Sequence, residues 1–541
     1  MRRERTANVF THVPEPNVKR NTFDLSHEVK MSGKFGILYP CMITEALPGD
    51  VFYHKNEVLT RFAPMLAPVM HRCDVSIHSF FVPNRIIWDA WETFITGGQD
   101  GTAAPVPPYT TPSYIRSVDE SAQAPGSLLD YLGYPVKSDT TVANTEERIS
   151  TLPLRAYWKI WNDYYRDPNL QNEFPDRKAI SGVDNHAGYF TWWENARRGY
   201  EKDYFTAALP WPQRGPQVLI PFDTTITDQD IDYLDSAYFF KEGTNNPAAS
   251  GNISFPPVPP GAPGTAADSD GDNLGIENIE EISVTNASIT INDLRRSFAL
   301  QRWLENNARG GGRYTEQLQG HFGVRVPDYR VQRAEYLGGF KQPVQISEVL
   351  ATADDGDQVP VGDMAGHGVA AGKSNGWSYR CEEHGFIISI LSVTFRTAYS
   401  QGLHKMWSRR DKFDYAWPEL ANLGEQELKS KELFFNYVAN DANNESTFGY
   451  VPRYAEYKYV PDRIAGDFRT SLMYWHLGRR FLSRPVLDTG FTSLYEHNET
   501  QATSRRIFAV QDGTDYLWMQ IYHRLKVSRA LPYFGVPSGL S

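Results

Sequence analysis

Apolar residues cluster near the start of the chain in runs that are typical of β-strands. Residues Phe35 to Leu47 are largely apolar and end at the turn formed by Pro48, Gly49 and Asp50. Val51 to Phe62 follows, and Cys73 to Val82 is a third run that stops at a proline. Each run has the length of a strand, so this part of the chain is predicted to form sheet.

The last third of the chain returns to strand patterns. Gly385 to Phe395 is a nearly continuous apolar run, which predicts a strand covered on both faces. Further strands are predicted at Tyr450 to Val460, Arg505 to Val510 and Tyr516 to Val527. Because the strands form two groups separated by a long excursion, their order predicts an antiparallel barrel or sandwich with a large insertion.

Two segments between these groups have helical spacing. The first is predicted to begin at Thr151 as its cap, with aromatic residues recurring until Asp167 and Pro168 end it. We interpret its aromatic stripe as core packing. The second is predicted from about Asn292, capped by that residue or its neighbour, to a Gly-Gly-Gly terminus. Its inward face is predicted to hold Leu294, Phe298, Ala299 and Trp303.

The composition fits many strands joined by irregular loops. The chain of 541 residues contains 13 Trp, 30 Tyr and 29 Phe beside 41 Gly and 35 Pro, and such aromatic residues favour strands and interfaces. Cys41, Cys73 and Cys381 are far apart, which predicts free thiols in a reducing cytoplasm. No secretory signal follows the basic N-terminus, and no apolar run is long enough to predict membrane insertion.

Negative charge is concentrated in one segment. Between Asp223 and Asp293 there are 13 acidic residues and one basic residue, which leaves a net +1 for the rest of a chain whose total is −11. Residues 243–275 of this segment are also rich in Pro and Gly, so they cannot build a core of their own. A solvated acidic segment is expected to project outwards, and a disordered acidic loop is the competing interpretation.

Two motifs approach known ligand loops without completing them. Gly366 to Ser374 resembles a phosphate loop, but His367 stands where glycine is required and no helix pattern follows. Asp268, Asp270 and Asp272 have calcium-loop spacing, but the glycine and glutamate that such a loop also requires are absent. Neither motif predicts a bound ligand, and we expect no cofactor.

No catalytic constellation emerges from the remaining motifs. Cys381 to His384 contains a cysteine and a histidine, but a metal site needs a second pair of ligands at matching spacing. A carbohydrate-binding or carbohydrate-degrading protein is the alternative function, with Trp and Tyr platforms for sugars. A carbohydrate-degrading enzyme needs two carboxylates that flank the bond it cleaves. Glu382 and Glu383 do not form such a pair, because adjacent residues point to opposite faces of a strand.

Basic residues at the two ends of the chain indicate nucleic-acid binding more strongly than the preceding motifs indicate a ligand or a reaction. Tyr522, Tyr533 and Phe534 lie near the C-terminal basic residues and can stack on unpaired bases, which suits single-stranded nucleic acid. A solvated basic tail is the other interpretation. The candidate DNA-binding residues are Arg2, Arg3, Arg5, Lys19, Arg20, Arg524, Lys526 and Arg529.

An ordered set of motifs resembles the microvirus major capsid proteins, particularly the gokushovirus-like group. The motifs cover nearly the whole chain except roughly residues 215–290. They are Phe23 to Ser26 through Leu47 to Asp50, Phe80 to Arg85, Leu154 to Tyr157, Tyr165 to Asp167, Leu300 to Glu305, Met364 to Gly368, Glu383 to Gly385, Trp417 to Glu419, Gly424 to Gln426, Gly449 to Tyr454 and Leu531 to Gly535.

The resemblance implies a mainly β fold: an eight-stranded antiparallel jelly-roll β-barrel with long loop insertions and a few helices. It implies a T=1 icosahedral shell of copies of this chain around circular single-stranded DNA, with other virion proteins and a host surface receptor as further partners. It implies no catalytic residues. The stretch from Gly366 to Gly376 is then a family loop that requires close-packed backbone.

Four segments are expected on this basis. They are a basic N-terminal arm (1–34) that needs a partner to order it, first barrel strands with helix-containing loops (35–214), an acidic surface insertion forming a three-fold protrusion (215–291), and the remaining strands and tail (292–541). The candidate host-attachment residues of the insertion are Asp228, Asp230, Asp232, Phe255, Asp268, Asp270 and Asp272.

Overall fold

The computed structural model divides the chain into two compact units. One comprises Met1–Arg214 and Glu305–Ser541, and the other comprises Gly215–Leu304. The structure describes residues 19–118, 120–135, 147–185, 193–219, 240–241, 274–275, 290–350, 364–438, 441–487, 496–497, 504–510 and 513–534.

The strands of the described residues fall mainly before residue 84 and after residue 334. They are β1 (Asn21–Asp24), β2 (His27–Gly33), β3 (Tyr39–Ala46), β4 (Val51–Phe62), β5 (Cys73–Pro83), β6 (Tyr109–Thr110), β7 (Ile149–Ser150), β8 (Phe240–Lys241), β9 (Leu274–Gly275), β10 (Glu335–Pro343), β11 (Gln345–Leu350), β12 (Met364–Lys373), β13 (Trp377–Arg380), β14 (Gly385–Phe395), β15 (Glu425–Lys429), β16 (Thr447–Pro452) and β17 (Leu517–Arg529).

Most helices are short and lie in the connections between strands. They are α1 (Asn84–Ile87), α2 (Trp91–Thr96), α3 (Pro112–Val118), α4 (Leu128–Tyr131), α5 (Leu152–Ile160), α6 (Ile291–Gly310), α7 (Tyr314–Phe322), α8 (Ser430–Leu433) and α9 (Ala455–Lys458). Among the residues described, none of these helices is long and apolar enough to cross a lipid bilayer.

Two antiparallel sheets form the body of the first unit. In the larger sheet of seven described strands, the order is β1-β17-β4-β12-β11, with β2 also paired to β17 and β13 to β4. The order in the smaller sheet is β10-β5-β14-β3. Strand β17 therefore lies between the N-terminal strands β1 and β2 on one side and β4 on the other, so that the two ends of the chain meet in one sheet.

The two sheets pack face to face through the apolar residues of alternating strands. Phe52 and Leu525 of the larger sheet share a buried cluster with Phe81 and Ile387 of the smaller one. The other face of the smaller sheet packs against α5, so every residue of β14 is buried. This confirms the prediction of a strand covered on both faces, and the mainly antiparallel sheet structure with few helices agrees with the predicted fold class.

Three strand predictions agree closely with the structure, and two near the C-terminus do not. β4 has the predicted bounds, and β5 and β17 differ from prediction by one or two residues at their ends. The predicted strand Tyr450 to Val460 is wrong beyond residue 452, because α9 follows there. Arg505 to Val510 is also wrong, since Arg505–Ile507 forms a 3₁₀ turn.

The N-terminal segment joins the sheet from residue 21. β1 and β2 pair with β17 over their whole lengths. The partner that orders this part of the predicted arm is thus the chain's own C-terminal strand. Periodicity could not reveal this, because the two strands are about 500 positions apart.

The two predicted helices exist, but the cap and one face of the second were mispredicted. Thr151 is the N-cap residue of α5 as predicted, although its hydroxyl donates to the buried carboxylate of Asp184 at 2.8 Å and makes no capping hydrogen bond. In α6 the cap is Thr290, whose hydroxyl oxygen accepts from the Asp293 N–H at 3.1 Å. The predicted inward face is wrong at Phe298, which is 66% exposed. It is also wrong at Ala299 and Trp303, which are both exposed.

The stretch from Gly366 to Gly376, predicted to be a loop, lies largely in strand β12 (Met364–Lys373) instead. Gly366 and Gly368 fit there because a Cβ at either position would approach Ala67 or Phe62 within 3 Å. The expectation of close-packed backbone is therefore met by a strand. Since no helix follows, the segment has none of the amide geometry that holds a phosphate.

Candidate nucleic-acid interface

The outer face of the larger sheet carries the cations that were predicted at the C-terminus. Along β17 burial alternates strictly from Leu517 to Val527, so one set of side chains points into the core and the other to solvent. The outward set comprises Trp518, Gln520, Tyr522, Arg524 and Lys526. The predicted residues Arg524 and Lys526 therefore lie on one exposed face.

Strand β4 adds residues that sequence reasoning missed. Its outward positions include Tyr53, Lys55 and Arg61. In the antiparallel register Lys55 stands directly opposite Arg524, and Tyr53 stands opposite Lys526. Alternation within Val51–Phe62 already predicts that Tyr53 and Lys55 share a face. Only the register shows that this face continues onto β17.

The opposition of Arg524 and Lys55 is electrostatically unfavourable in the isolated subunit. Like charges directly across a strand pair repel, and an anion placed between them relieves that repulsion. Glu57, the next outward residue of β4 after Lys55, forms a 2.6 Å ion pair with Lys373 and also interacts with the charge of Arg524. Lys373 lowers the pKa of the Glu57 carboxyl by hydrogen bonding and by its charge.

A surface cavity of about 460 Å³ lies beside these cations. It is lined by Tyr53, His54, Lys55, Asn375, Gly376, Trp377, Ser378, Arg524 and Lys526. The turn that forms one wall is fixed to β4, since the Ser374 hydroxyl accepts from the Asn56 N–H at 2.8 Å. Gly376 has φ +82°, and a Cβ there would approach the His54 carbonyl at 2.6 Å.

Aromatic rings are interleaved with the cations on this face. Tyr53 is 54% exposed, Trp518 48% and Tyr522 40%. Exposed rings beside cations are the combination by which proteins hold single-stranded nucleic acid: the rings stack on bases and the cations contact phosphates. Asp24 of β1 stands directly opposite Lys526, and Glu57 follows Lys55 on the same face of β4, so these carboxylates confine the cationic area to the surroundings of Lys55 and Arg524.

Other predicted DNA-binding residues have different positions. The Arg529 guanidinium donates to the buried Asp50 carboxylate at 2.7 Å and lies over the Phe52 ring. Arg20 donates to the carbonyl of Gly49, so both arginines stabilise the turn between β3 and β4. Lys19 is exposed at the start of the described chain. Arg2, Arg3 and Arg5 lie outside the described residues.

A row of histidines lies on the inner side of the same strands. His523 Nε2 is 3.0 Å from the Cys41 carbonyl, and His54 Nε2 is 3.1 Å from His523 Nδ1. In this network each Nε2 carries the ring proton and donates it in the hydrogen bond. His54 Nδ1 then has no hydrogen-bond partner among the described residues. Burial lowers the pKa of His54 to about 4 and that of His523 to about 3.

The Cys381 to His384 motif is structural. Cys381 is fully buried, and burial raises the pKa of its thiol to about 12. Glu383 pairs with Arg85, its Oε2 lying 2.8 Å from the arginine Nε. All three cysteines are buried free thiols. The predicted host-attachment residues Asp228, Asp230, Asp232, Phe255, Asp268, Asp270 and Asp272 lie outside the described residues.

Comparison with known proteins identifies the class of molecule that carries this face. Residues 11–539 match the family described as "Capsid protein (F protein)". The chain belongs to this capsid protein family. The capsid protein is 33% identical to capsid protein VP1 of Chlamydia phage 1, over 98% of this chain and 97% of that one. It is 36% identical to capsid protein VP1 of Bdellovibrio phage phiMH2K, over 89% of each chain.

A third relative is more distant but also covers almost the full length. Capsid protein VP1 of Spiroplasma virus 4 is 27% identical, over 96% of this chain and 95% of that one. The first two relatives belong to the Microviridae, and the predicted family is therefore confirmed. As a phage capsid protein the chain is a structural component of a virion and assembles with copies of itself into a shell.

Proposed function

We propose that this capsid protein forms a T=1 icosahedral shell around circular single-stranded DNA and contacts that DNA through the outer face of its larger sheet. The single observation that carries the DNA contact is the cross-strand opposition of Lys55 and Arg524 on an exposed face. A phosphate between these two side chains removes their mutual repulsion, and Tyr53 or Tyr522 offers a ring to the adjoining base.

The proposal includes the geometry and partners implied by the family. The two packed sheets correspond to an eight-stranded jelly roll with added strands, and the face that binds DNA points to the interior of the shell. The acidic segment 215–291 points outward and contacts a host receptor, since a strongly acidic surface is repelled by the enclosed genome. Other virion proteins join the particle, assembly takes place in the bacterial cytoplasm, and the chain has no enzymatic activity.

The DNA contact is tested by removing the opposed cations. In the variant Lys55→Gln/Arg524→Gln, subunits should bind a single-stranded oligonucleotide more weakly at every sequence. The slope of log affinity against log salt should fall by about one unit, since roughly 0.7 counterions are released per phosphate contact on a single strand. The control Lys373→Gln removes a cation of the same sheet that Glu57 already neutralises, and it should change the slope little.

Particles provide the second measurement. The double variant should package less nuclease-protected DNA per shell, with shells of normal size. An unchanged salt slope together with normal DNA content would contradict the DNA contact. Equal losses in the double variant and the Lys373→Gln control would show a general charge effect rather than this site.

A further inference from the structure

A second exposed surface, on the segments 405–423 and 454–460, is apolar rather than cationic. We call it the aromatic patch and define it by Trp407, Phe413, Tyr415, Trp417 and Tyr457. Their exposed fractions run from 45% for Trp417 to 72% for Trp407. Five rings exposed to this degree present about 500–600 Å² of apolar area, the upper end of what a monomer normally exposes.

One arginine holds two rings of the patch in place. The Arg409 guanidinium lies 4.4 Å from the centre of the Tyr457 ring and 5.0 Å from that of Tyr415. The same arginine is 3.8 Å from the buried carboxylate of Glu456. Tyr415 and Tyr457 are thus anchored to the core through one cation, and less conformational entropy is lost when a partner covers these two rings.

Two of the rings have polar atoms that are hydrogen-bonded inside the patch. The Trp417 indole N–H donates to the Lys412 carbonyl at 2.7 Å. The Tyr457 hydroxyl accepts from the Ala416 N–H at 3.4 Å. Covering Trp417 and Tyr457 breaks neither hydrogen bond, which favours an apolar protein surface over a sugar that needs free donors and acceptors.

The charges around the patch argue against nucleic acid. Over the segments 405–423 and 454–460 there are five cations and four carboxylates, a net charge of only +1, so the surface has no strongly cationic field. Backbone N–H groups donate to the carboxylates of Asp411 and Asp414 and hold them in place. The Phe413 nitrogen lies 2.6 Å from the Asp411 carboxylate. Fixed carboxylates among the rings repel phosphates.

We propose that the aromatic patch is a contact surface for a second copy of this chain. The inference rests on the self-assembly of the capsid protein and specifies a surface that performs it. A standard stable interface covers about 800 Å² on each partner, and the five rings with their polar rim supply most of that area. Central, preorganised aromatic residues are also the residues on which interface affinity depends most.

The first experiment compares two variants of the full-length chain. Trp407→Ser/Trp417→Ser removes two rings, whereas the matched control Trp407→Phe/Trp417→Phe keeps an aromatic side chain at both positions. The serine variant should need at least a tenfold higher subunit concentration to form particles by sedimentation velocity, and the control should stay near wild type. Near-UV circular dichroism and thermal melting of dissociated subunits check that both variants fold.

The second experiment measures whether the patch is covered in particles. A cysteine introduced by Ala416→Cys lies among the rings at an exposed position, and the natural cysteines are buried. A maleimide dye should label this cysteine in dissociated subunits and at least tenfold more slowly in particles. Equal labelling rates in both forms would overturn the proposal.

Further outcomes distinguish a failure of the patch assignment from a failure of the proposed shell assembly. If wild-type chains form no particles, self-assembly itself fails. If wild-type and serine-variant chains assemble equally well, only the patch assignment fails. A serine variant that assembles normally but loses binding to an oligonucleotide or a glycan array would assign the patch to that ligand and overturn the contact between copies.

Discussion

Three basic residues near the end of the chain look equivalent in sequence, but their neighbours give them different roles. Arg524 and Lys526 are outward residues of β17 on an open face. Arg529, at the end of the same strand, is paired with Asp50, a carboxylate that is only 1% exposed. Because Arg529 stabilises the buried charge of Asp50, it is not available to bind DNA. The positive charges in the sequence alone therefore did not distinguish this structural arginine from a DNA-binding one.

This difference predicts a separation of stability from DNA binding. Arg529→Gln leaves the Asp50 carboxylate buried without its ionic partner and should lower the free energy of unfolding by about 2–3 kcal/mol. The salt slope of oligonucleotide binding should stay at the wild-type value. Urea denaturation of dissociated subunits measures the first quantity, and fluorescence anisotropy at several salt concentrations measures the second. A reduced slope at wild-type stability would place Arg529 in the DNA contact instead.

At the scale of elements, β17 has two different faces because its side chains alternate. The outward face carries the cations, and the inward face carries His523 between His54 and the Cys41 carbonyl. Neither histidine has a carboxylate among its described hydrogen-bond partners to stabilise an imidazolium, and His27 stacks at 5.2 Å from His523. The interior of this strand therefore tolerates only neutral histidines.

The inner face predicts loss of stability in acid. In the folded state the pKa is about 4 for His54 and about 3 for His523, whereas an unfolded histidine has a pKa near 6.5. Between pH 6.5 and these lower values, the unfolded chain therefore binds more protons than the folded chain. Stability should be complete above pH 6.5 and fall as the pH drops towards 4, by at most on the order of 3 kcal/mol per histidine.

Urea denaturation of dissociated subunits at pH 7, 5.5 and 4.5 measures this dependence. His54→Gln keeps a donor towards His523 and should flatten the decline. The control His367→Gln removes a half-buried histidine of β12 outside the row and should retain the wild-type decline. The same slope in all three proteins would show that the histidine row does not determine acid sensitivity.

At the scale of the whole molecule, the concentrated negative charge and the two main sheets belong to different units of the chain. The strongly acidic stretch from Asp223 to Asp293 lies within the unit Gly215–Leu304, whereas the two main sheets lie in the other unit. We expect the two functions to separate in the same way, with the shell built by the near-neutral unit and receptor contact made by the insertion.

Deleting residues 223–289 should therefore abolish attachment of particles to host cells and leave shell assembly intact. The deletion keeps Thr290, because its hydroxyl caps α6. Electron microscopy counts the shells, and cell-binding assays measure attachment. The control replaces Asp268, Asp270 and Asp272 with Asn and keeps the length of the segment. Loss of shells in the deletion variant would make the insertion a structural part of the shell.

The sequence by itself determined features that depend on neighbouring residues. Alternation over twelve residues fixed the bounds of β4, and the unbroken apolar run of β14 showed that both its faces are buried. The ordered motifs identified the capsid family. Local signals failed beyond residue 452, where a short helix replaced the expected strand, and they did not show that the hydroxyl of the N-cap residue Thr151 contacts Asp184.

Only the tertiary structure decided which distant residues act together. The opposition of Lys55 and Arg524 depends on the pairing of β4 with β17, and a shift of one residue would turn one of them into the core. Likewise, Arg529 became structural because Asp50, 479 positions earlier in the chain, is buried beside it. Periodicity reports which side chains share a face, but strand register and burial report what stands opposite them, and that decided the candidate DNA contact.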